Sequence, residues 1–141
     1  MTIYKDVLID HSRHPRNFGN LAGMGTVHRG RNPLCGDDVE VGINVENERL
    51  TSVRFRGRAC AICMASASVM TGMAGGKSLA EALDVVAFVH RWMSADGGQM
   101  QAPEPLEPLS SVRGLPSRRS CVLLAWDALA DAVNECSDAR A

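Results

Sequence analysis

Between Val39 and Glu46 apolar and polar residues alternate, with Val39, Val41, Ile43 and Val45 set against Glu40, Gly42, Asn44 and Glu46. A period of two marks a strand with one buried face. Thr51, Val53 and Phe55 alternate in the same way with Ser52, Arg54 and Arg56. Glu46 to Arg49 makes the turn, so the two strands should pair antiparallel as a hairpin. A shorter strand is expected around Thr26 to Arg29, in a connecting segment kept irregular by glycines at 19, 23, 25 and 30. Elsewhere the period is helical. Ile3, Tyr4, Val7, Leu8 and His11 share one side of a first helix, which Thr2 can cap and Pro15 should end. Small and apolar residues from Ala61 to Ala74 predict a mostly buried helix, closed by Gly75-Gly76. Ser78 can cap the next, which carries Leu79, Ala82, Leu83, Val86 and Val89. Ala95 to Pro116 turns to glycine and proline and reads as a long loop within one domain, with Pro103, Pro105 and Pro108 forcing extended backbone. A final helix, Val122 to Glu135, has Leu124, Ala125, Ala128, Leu129 and Ala132 as its apolar face. The expected fold class is α+β, a small antiparallel sheet of about three strands packed against several helices, in a single domain over residues 1–141.

Composition narrows the chemistry. With 141 residues and 45% hydrophobic content the chain can bury a core without a metal to hold it together. A formal net charge of -1 provides no global basic field, so nucleic acid is not an expected partner. Lys5, Asp6, Asp10 and Arg13 in the first turns, and no apolar run of membrane-spanning length, lead to the expectation of a cytoplasmic protein without membrane contact. In that reducing compartment five cysteines are better suited to metal binding or thiol chemistry than to disulfides. Gly76-Lys77-Ser78 is not a phosphate loop, because Thr71 stands where the first glycine is required and no strand precedes it.

The candidate chemistry starts at Asn32-Pro33-Leu34-Cys35-Gly36-Asp37, where turn-forming Pro33 and Gly36 bracket a thiol and a carboxylate follows two residues later. By itself the loop also reads as a polar turn with an incidental cysteine. The hairpin changes this, since it brings Asp37, just before one strand, beside Cys60, just after the other. Cys60 falls at an expected helix start, where unpaired amides and the helix dipole favour thiolate, and Cys121 is a second cysteine at a helix start. Cys35, Asp37, Cys60 and Cys121 therefore form a candidate four-ligand metal site of the kind zinc takes. Cys63 makes a Cys-x-x-Cys pair with Cys60, although a small buried hydrophobe suits it better than a ligand. Cys136, His11 and His14 are left outside the site.

These stretches resemble a known family. The Cys35 loop, Cys60-Ala61-Ile62 with Ala65-Ser66-Ala67-Ser68, and Arg118 with Cys121-Val122-Leu123-Leu124-Ala125-Trp126 are similar to the three cysteine motifs of the U-type iron-sulfur cluster assembly proteins, the NifU/IscU-like superfamily. The likeness extends to the Tyr4 helix and to His14-Pro15-Arg16-Asn17-Phe18-Gly19. The long insert between Cys60 and Cys121, and Ser120 where IscU-type proteins carry histidine, resemble the SufU branch. The resemblance implies a SufE/NifU-like fold with zinc on Cys35, Asp37, Cys60 and Cys121. It further implies a partner cysteine desulfurase of the SufS type, whose histidine takes a place on the zinc and frees Cys35 to accept persulfide sulfur, and downstream iron-sulfur scaffold proteins as recipients. Arg118 and Arg119 could each stabilise thiolate or persulfide charge near Cys121 or be ordinary surface charges; the first role is expected for Arg118 only. Cys63 departs from the family's small polar residue, which leaves a swapped or extra ligand open. Two other functions stay in view: a scaffold that assembles an iron-sulfur cluster on the same ligands, and a structural zinc-binding interaction module.

Overall fold

The computed structural model describes residues 2–94 and 98–140, with side chains described from Lys5 to Asp138. The chain runs α1 (Thr2–Arg13), β1 (Thr26–Asn32), β2 (Asp37–Glu46), β3 (Arg49–Arg58), α2 (Ala61–Ala74), α3 (Leu79–Met93), two 3-10 segments (Glu104–Val112 and Pro116–Arg118) and α4 (Arg119–Arg140). The sheet is antiparallel with order β1-β2-β3. Its α+β character and number of strands match the sequence expectation.

Val39, Val41, Ile43, Val53 and Phe55 fall on one side of the pleat and are buried there, whereas Asp38, Glu40, Arg54 and Arg56 face away. Asn47 and Glu48, with φ of 53° and 64°, make the tight two-residue turn whose twist suits a hairpin. Helices α2 and α4 cover the inner face and pack on each other, with α3 against α4. Trp92 and Trp126 are among the largest side chains of this core. Segment 17–19 borders β3: Phe55 N donates to Asn17 O, Gly19 N donates to Phe55 O, and Phe18 meets Phe55 edge-on at 5.2 Å.

Helix α2 is buried along most of its surface, and its polar side chains are spent inside the protein. Ser66 Oγ donates to Val122 O at 2.7 Å and accepts the Trp126 indole N–H at 3.0 Å, tying α2 to α4. Ser68 Oγ accepts Arg16 N–H at 2.8 Å and bonds His11 Nδ1 at 2.7 Å, tying α2 to the N-terminal segment. At the start of α3, Ser78 and Glu81 complete a reciprocal capping box.

Three boundaries differ from the sequence reading. Strand β1 runs on to Asn32, because Arg29 and Arg31 lie on its outward side and β2 supplies a partner for every residue to Asp37. Within Ala95 to Pro116, 95–97 lie outside the described residues, and residues 104–112 form a 3-10 helix instead of a loop. Leu106, Leu109 and Val112 recur every three residues and are buried, and Pro105 sits in the first turn, where the missing N–H costs nothing. Helix α4 begins at Arg119, so Cys121 lies inside its first turn. The proposed Thr2 cap and the apolar contacts of Ile3 and Tyr4 concern side chains outside the described set.

Candidate metal centre

The β1–β2 connection is built around Asn32. Its backbone oxygen accepts N–H groups from Cys35 (3.3 Å) and Gly36 (2.9 Å), and its Oδ1 accepts the Leu34 N–H at 3.2 Å. Gly36 closes the turn at φ +75°, a conformation that favours glycine. Leu34 stands 97% exposed at the tip and Cys35 is exposed beside it. Asp37, the first residue of β2, points inward and is 2% exposed.

The hairpin places Cys60 opposite Asp37. Asp37 Oδ1 accepts the Cys60 N–H at 2.8 Å, while Oδ2 accepts the Cys35 thiol at 3.1 Å and lies 3.8 Å from Cys60 Sγ. Cys60 is the N-cap of α2, and its sulfur accepts the Cys63 N–H at 3.4 Å. Cys121 arrives from α4. That helix crosses close over β1 at Gly30, where a Cβ would come within 3.1 Å of Leu124 O, and Leu124 is one turn beyond Cys121. Asn32 Nδ2 also donates to Ser120 Oγ at 3.2 Å, fastening the loop to the first turn of α4.

As a result the ligand atoms of Cys35, Asp37 and Cys121 lie within 4.8 Å of one another. Cys60 is outside that mutually close group, yet it touches two of its members, Asp37 and, by a hydrogen bond, Cys121. Two donors about 2.3 Å from a tetrahedral centre are about 3.8 Å apart. The distances from Asp37 to the two sulfurs already fit, the group of Cys35, Asp37 and Cys121 needs a contraction of at most about 1 Å, and Cys60 must close in on Cys35 to complete the set. This is a Cys/Asp metal-binding site.

Electrostatics agree with the donor set. Burial, then the Cys60 charge, pushes the Cys121 thiol up to about 12, opposed by a hydrogen bond from Arg118. Burial pushes the Cys63 thiol up further, with the surrounding anionic groups adding to it. A cluster of thiols and one carboxylate resists ionisation unless a cation joins it, and a divalent cation matches such ligands. Cys63 is 0% exposed and packs in the core cluster. Arg118 reaches Cys121, whereas Arg119 Nη2 donates to Arg113 O away from the cysteines. His11 is bound to Ser68, and burial holds its ring below the usual imidazole range; His14 is exposed beside Asp10. Cys136 meets Thr26 Oγ1 at 3.3 Å, near the other end of β1. The sequence reading gave no role to Asn32 or Ser66, whose partners are 88 and 60 residues away.

Residues 3–140 match the model of the NifU-like N-terminal domain. The chain belongs to that family. It is 33% identical over 141 residues to an iron-sulfur cluster assembly scaffold protein IscU of Streptococcus pyogenes, covering 98% of this chain and 87% of that protein. It is also 33% identical over 135 residues to the zinc-dependent sulfurtransferase SufU of Bacillus subtilis, covering 91% and 87%. The crystal structure of a NifU-like N-terminal protein from Brucella abortus superposes with a TM-score of 0.85 at 26% identity, over 96% of this chain and 95% of that one. The two relatives carry different named roles at equal identity, so a choice between those roles falls to the chemistry of this chain's own site.

Proposed function

We propose that this member of the family is a zinc-dependent sulfur acceptor in iron-sulfur cluster biogenesis, of the SufU type. It takes sulfane sulfur from a cysteine desulfurase onto Cys35 and passes it to a downstream scaffold. The observation that carries this reading is the uneven exposure of the site: Cys35 is exposed on a loop, while Asp37 and Cys121 are 2% exposed and Cys60 is half-buried. One thiol is open to a partner while the remaining donors stay within. Ser120, bonded to Asn32, stands where, by the resemblance in sequence, IscU-type proteins carry histidine.

Zinc, held by Cys35, Asp37, Cys60 and Cys121, would supply charge that keeps these thiols deprotonated. The chain's own residues do the rest. The Cys35 thiolate attacks the outer sulfur of the donor's persulfide; a new S–S bond forms at Cys35, the donor's S–S bond breaks, and the donor cysteine leaves as thiolate. Asp37 holds Cys60 through its amide, so the inner wall stays in place while Cys35 reacts. Arg118, at Cys121, offsets the negative charge that a persulfide adds.

The test is transfer from desulfurase and cysteine, with persulfide trapped by alkylation and located by mass spectrometry. Label on Cys35 is expected, with about one zinc per chain in aerobically purified protein. Transfer that survives Cys35→Ala would defeat the mechanism. Brown protein with visible absorption would favour the scaffold reading, which the same three thiols also suit.

A further inference from the structure

Behind the ligand loop, the outward face of the sheet is crossed by two charged rows fixed by strand register: Arg31–Asp38–Arg58 next to the loop, then Arg29–Glu40–Arg56. Four arginines meet two carboxylates, and both carboxylates are taken. Arg29 forms a two-pronged ion pair with Asp38 through Nε at 2.7 Å and through Nη2, and Arg56 Nε donates to Glu40 at 2.9 Å. Arg31 and Arg58, both exposed, make no side-chain hydrogen bond or close ion pair among the described residues, and Arg31 adds at longer range to the pairing with Arg29 that holds the Asp38 carboxyl below the usual carboxylate range. A depression of about 360 Å³ lies here, lined by Gly36 of the loop together with Arg58 and the two ion pairs. On the same edge Leu34, 97% exposed, projects beside Cys35, and Arg118 is exposed at Cys121. A chain with a net charge of -1 thus concentrates an excess of positive charge and an isolated apolar side chain near its exposed thiol.

We propose that Leu34, Arg31 and Arg58 form the docking face for the sulfur donor, and that the donor presents an apolar pocket rimmed by carboxylates around its persulfide. This rests on the acceptor reading of Cys35. Charge complementarity selects the occupant: four guanidiniums against two carboxylates leave an excess of positive charge that steers an acidic surface into place and repels a basic one. An apolar tip at the loop beside them orients Cys35 once the surfaces meet. Nucleic acid, the other polyanion, is a poor match for an isolated leucine beside two arginines, and a nucleic-acid shift assay checks it.

The experiment titrates the protein into a SufS-type cysteine desulfurase with cysteine, at low and moderate salt. It compares wild type with Arg31→Glu/Arg58→Glu, the neutral Arg31→Gln/Arg58→Gln pair, and Leu34→Ser. Charge reversal is expected to raise the acceptor concentration for half-maximal rate about tenfold at low salt and to flatten its salt dependence, the neutral pair less so. The rate at saturation and the metal content should equal wild type. Leu34→Ser should weaken docking at both salt concentrations. Wild-type transfer to Cys35 with the arginine variants within twofold of it and equally salt-sensitive would overturn the docking face and leave the acceptor reading standing. No transfer to wild-type Cys35 would overturn both. A nucleic-acid shift that vanishes in the arginine variants, with unchanged desulfurase kinetics, would reassign the surface and overturn the proposal.

Discussion

Asp37 has two separable duties, and a pair of substitutions divides them. Its Oδ1 accepts the Cys60 N–H at 2.8 Å at the first turn of α2, and its Oδ2 faces the sulfurs of Cys35 and Cys60. Asp37→Ala removes a hydrogen bond to a charged group, about 1.5–3 kcal/mol. It also removes an anion at a helix N-terminus, about 0.3–1 kcal/mol. With Asp37 2% exposed, little water can replace the lost oxygen, so the chelator-treated variant should lose about 2–4 kcal/mol. For a chain of this size that is roughly 6–20 °C in melting temperature. Asp37→Asn keeps an acceptor oxygen and loses only the charge, so it should cost about 1 kcal/mol. Metal retention should behave differently: both variants lack the anionic oxygen donor, and both should release zinc to a competing chelator at concentrations where wild type holds it. Thermal melts with and without chelator, together with metal analysis, read both duties. Equal melting of the two chelator-treated variants would refute the amide-holding role, and wild-type metal retention in both would remove Asp37 from the ligand set.

Other expectations follow from the same geometry. Ser66→Ala strands the buried Trp126 indole N–H, so urea unfolding should show a loss of about 1–3 kcal/mol, and a change below about 0.5 kcal/mol would mean that this link between α2 and α4 carries little. In the metal-free protein burial lets the Cys121 thiol keep its proton when folded up to about 12, while the unfolded chain gives its proton up near the ordinary thiol value of 9.0. The unfolded state then binds fewer protons, so stability should fall as pH rises from about 9 towards 12, visible as a declining urea midpoint. Zinc-loaded protein, its thiols already ionised, should not show this decline, and a flat profile in the chelated form would contradict the burial of Cys121.

Much of the fold was legible because it is local. The period-two runs at 39–45 and 51–55, the small-residue run at 61–74 and the Ser78 cap each announce their element within a dozen residues, and β2, β3, α2 and α3 contain them. What was missed depends on partners distant in sequence. The polar end of β1 is strand only because β2 lies beside it, and the proline-rich stretch becomes a 3-10 helix because Leu106, Leu109 and Val112 find a core to enter. At the candidate centre, the approach of Cys60 to Asp37 could be foreseen from hairpin geometry, and the structure puts the Cys60 amide on that carboxylate. The Asn32–Ser120 and Ser66–Trp126 bonds could not, since hydroxyl and amide side chains carry no periodic signal that names a partner.

The four candidate ligands are not held alike, and the difference gives the site a direction. Cys60 belongs to the cap of a buried helix, Cys121 to the first turn of another, and Ser66 bonds those two helices together. Asp37 is paired in the sheet and bonded to the Cys60 amide. Moving any of these three disturbs an element that the core depends on. Cys35 sits on a turn whose side-chain ties to the rest of the protein, among the described residues, are the Asn32–Ser120 bond and the bond from its own thiol to Asp37. Displacing it disturbs a few hydrogen bonds close to water, each with a net value of about 0.5–1.5 kcal/mol. On the acceptor reading, this difference makes Cys35 the thiol that swings out to the donor while three donors keep their geometry. It also sets a condition on any partner: docking must engage the loop itself, at Leu34 and its flanking arginines, because pressure elsewhere on the sheet moves ligands that the fold holds fast.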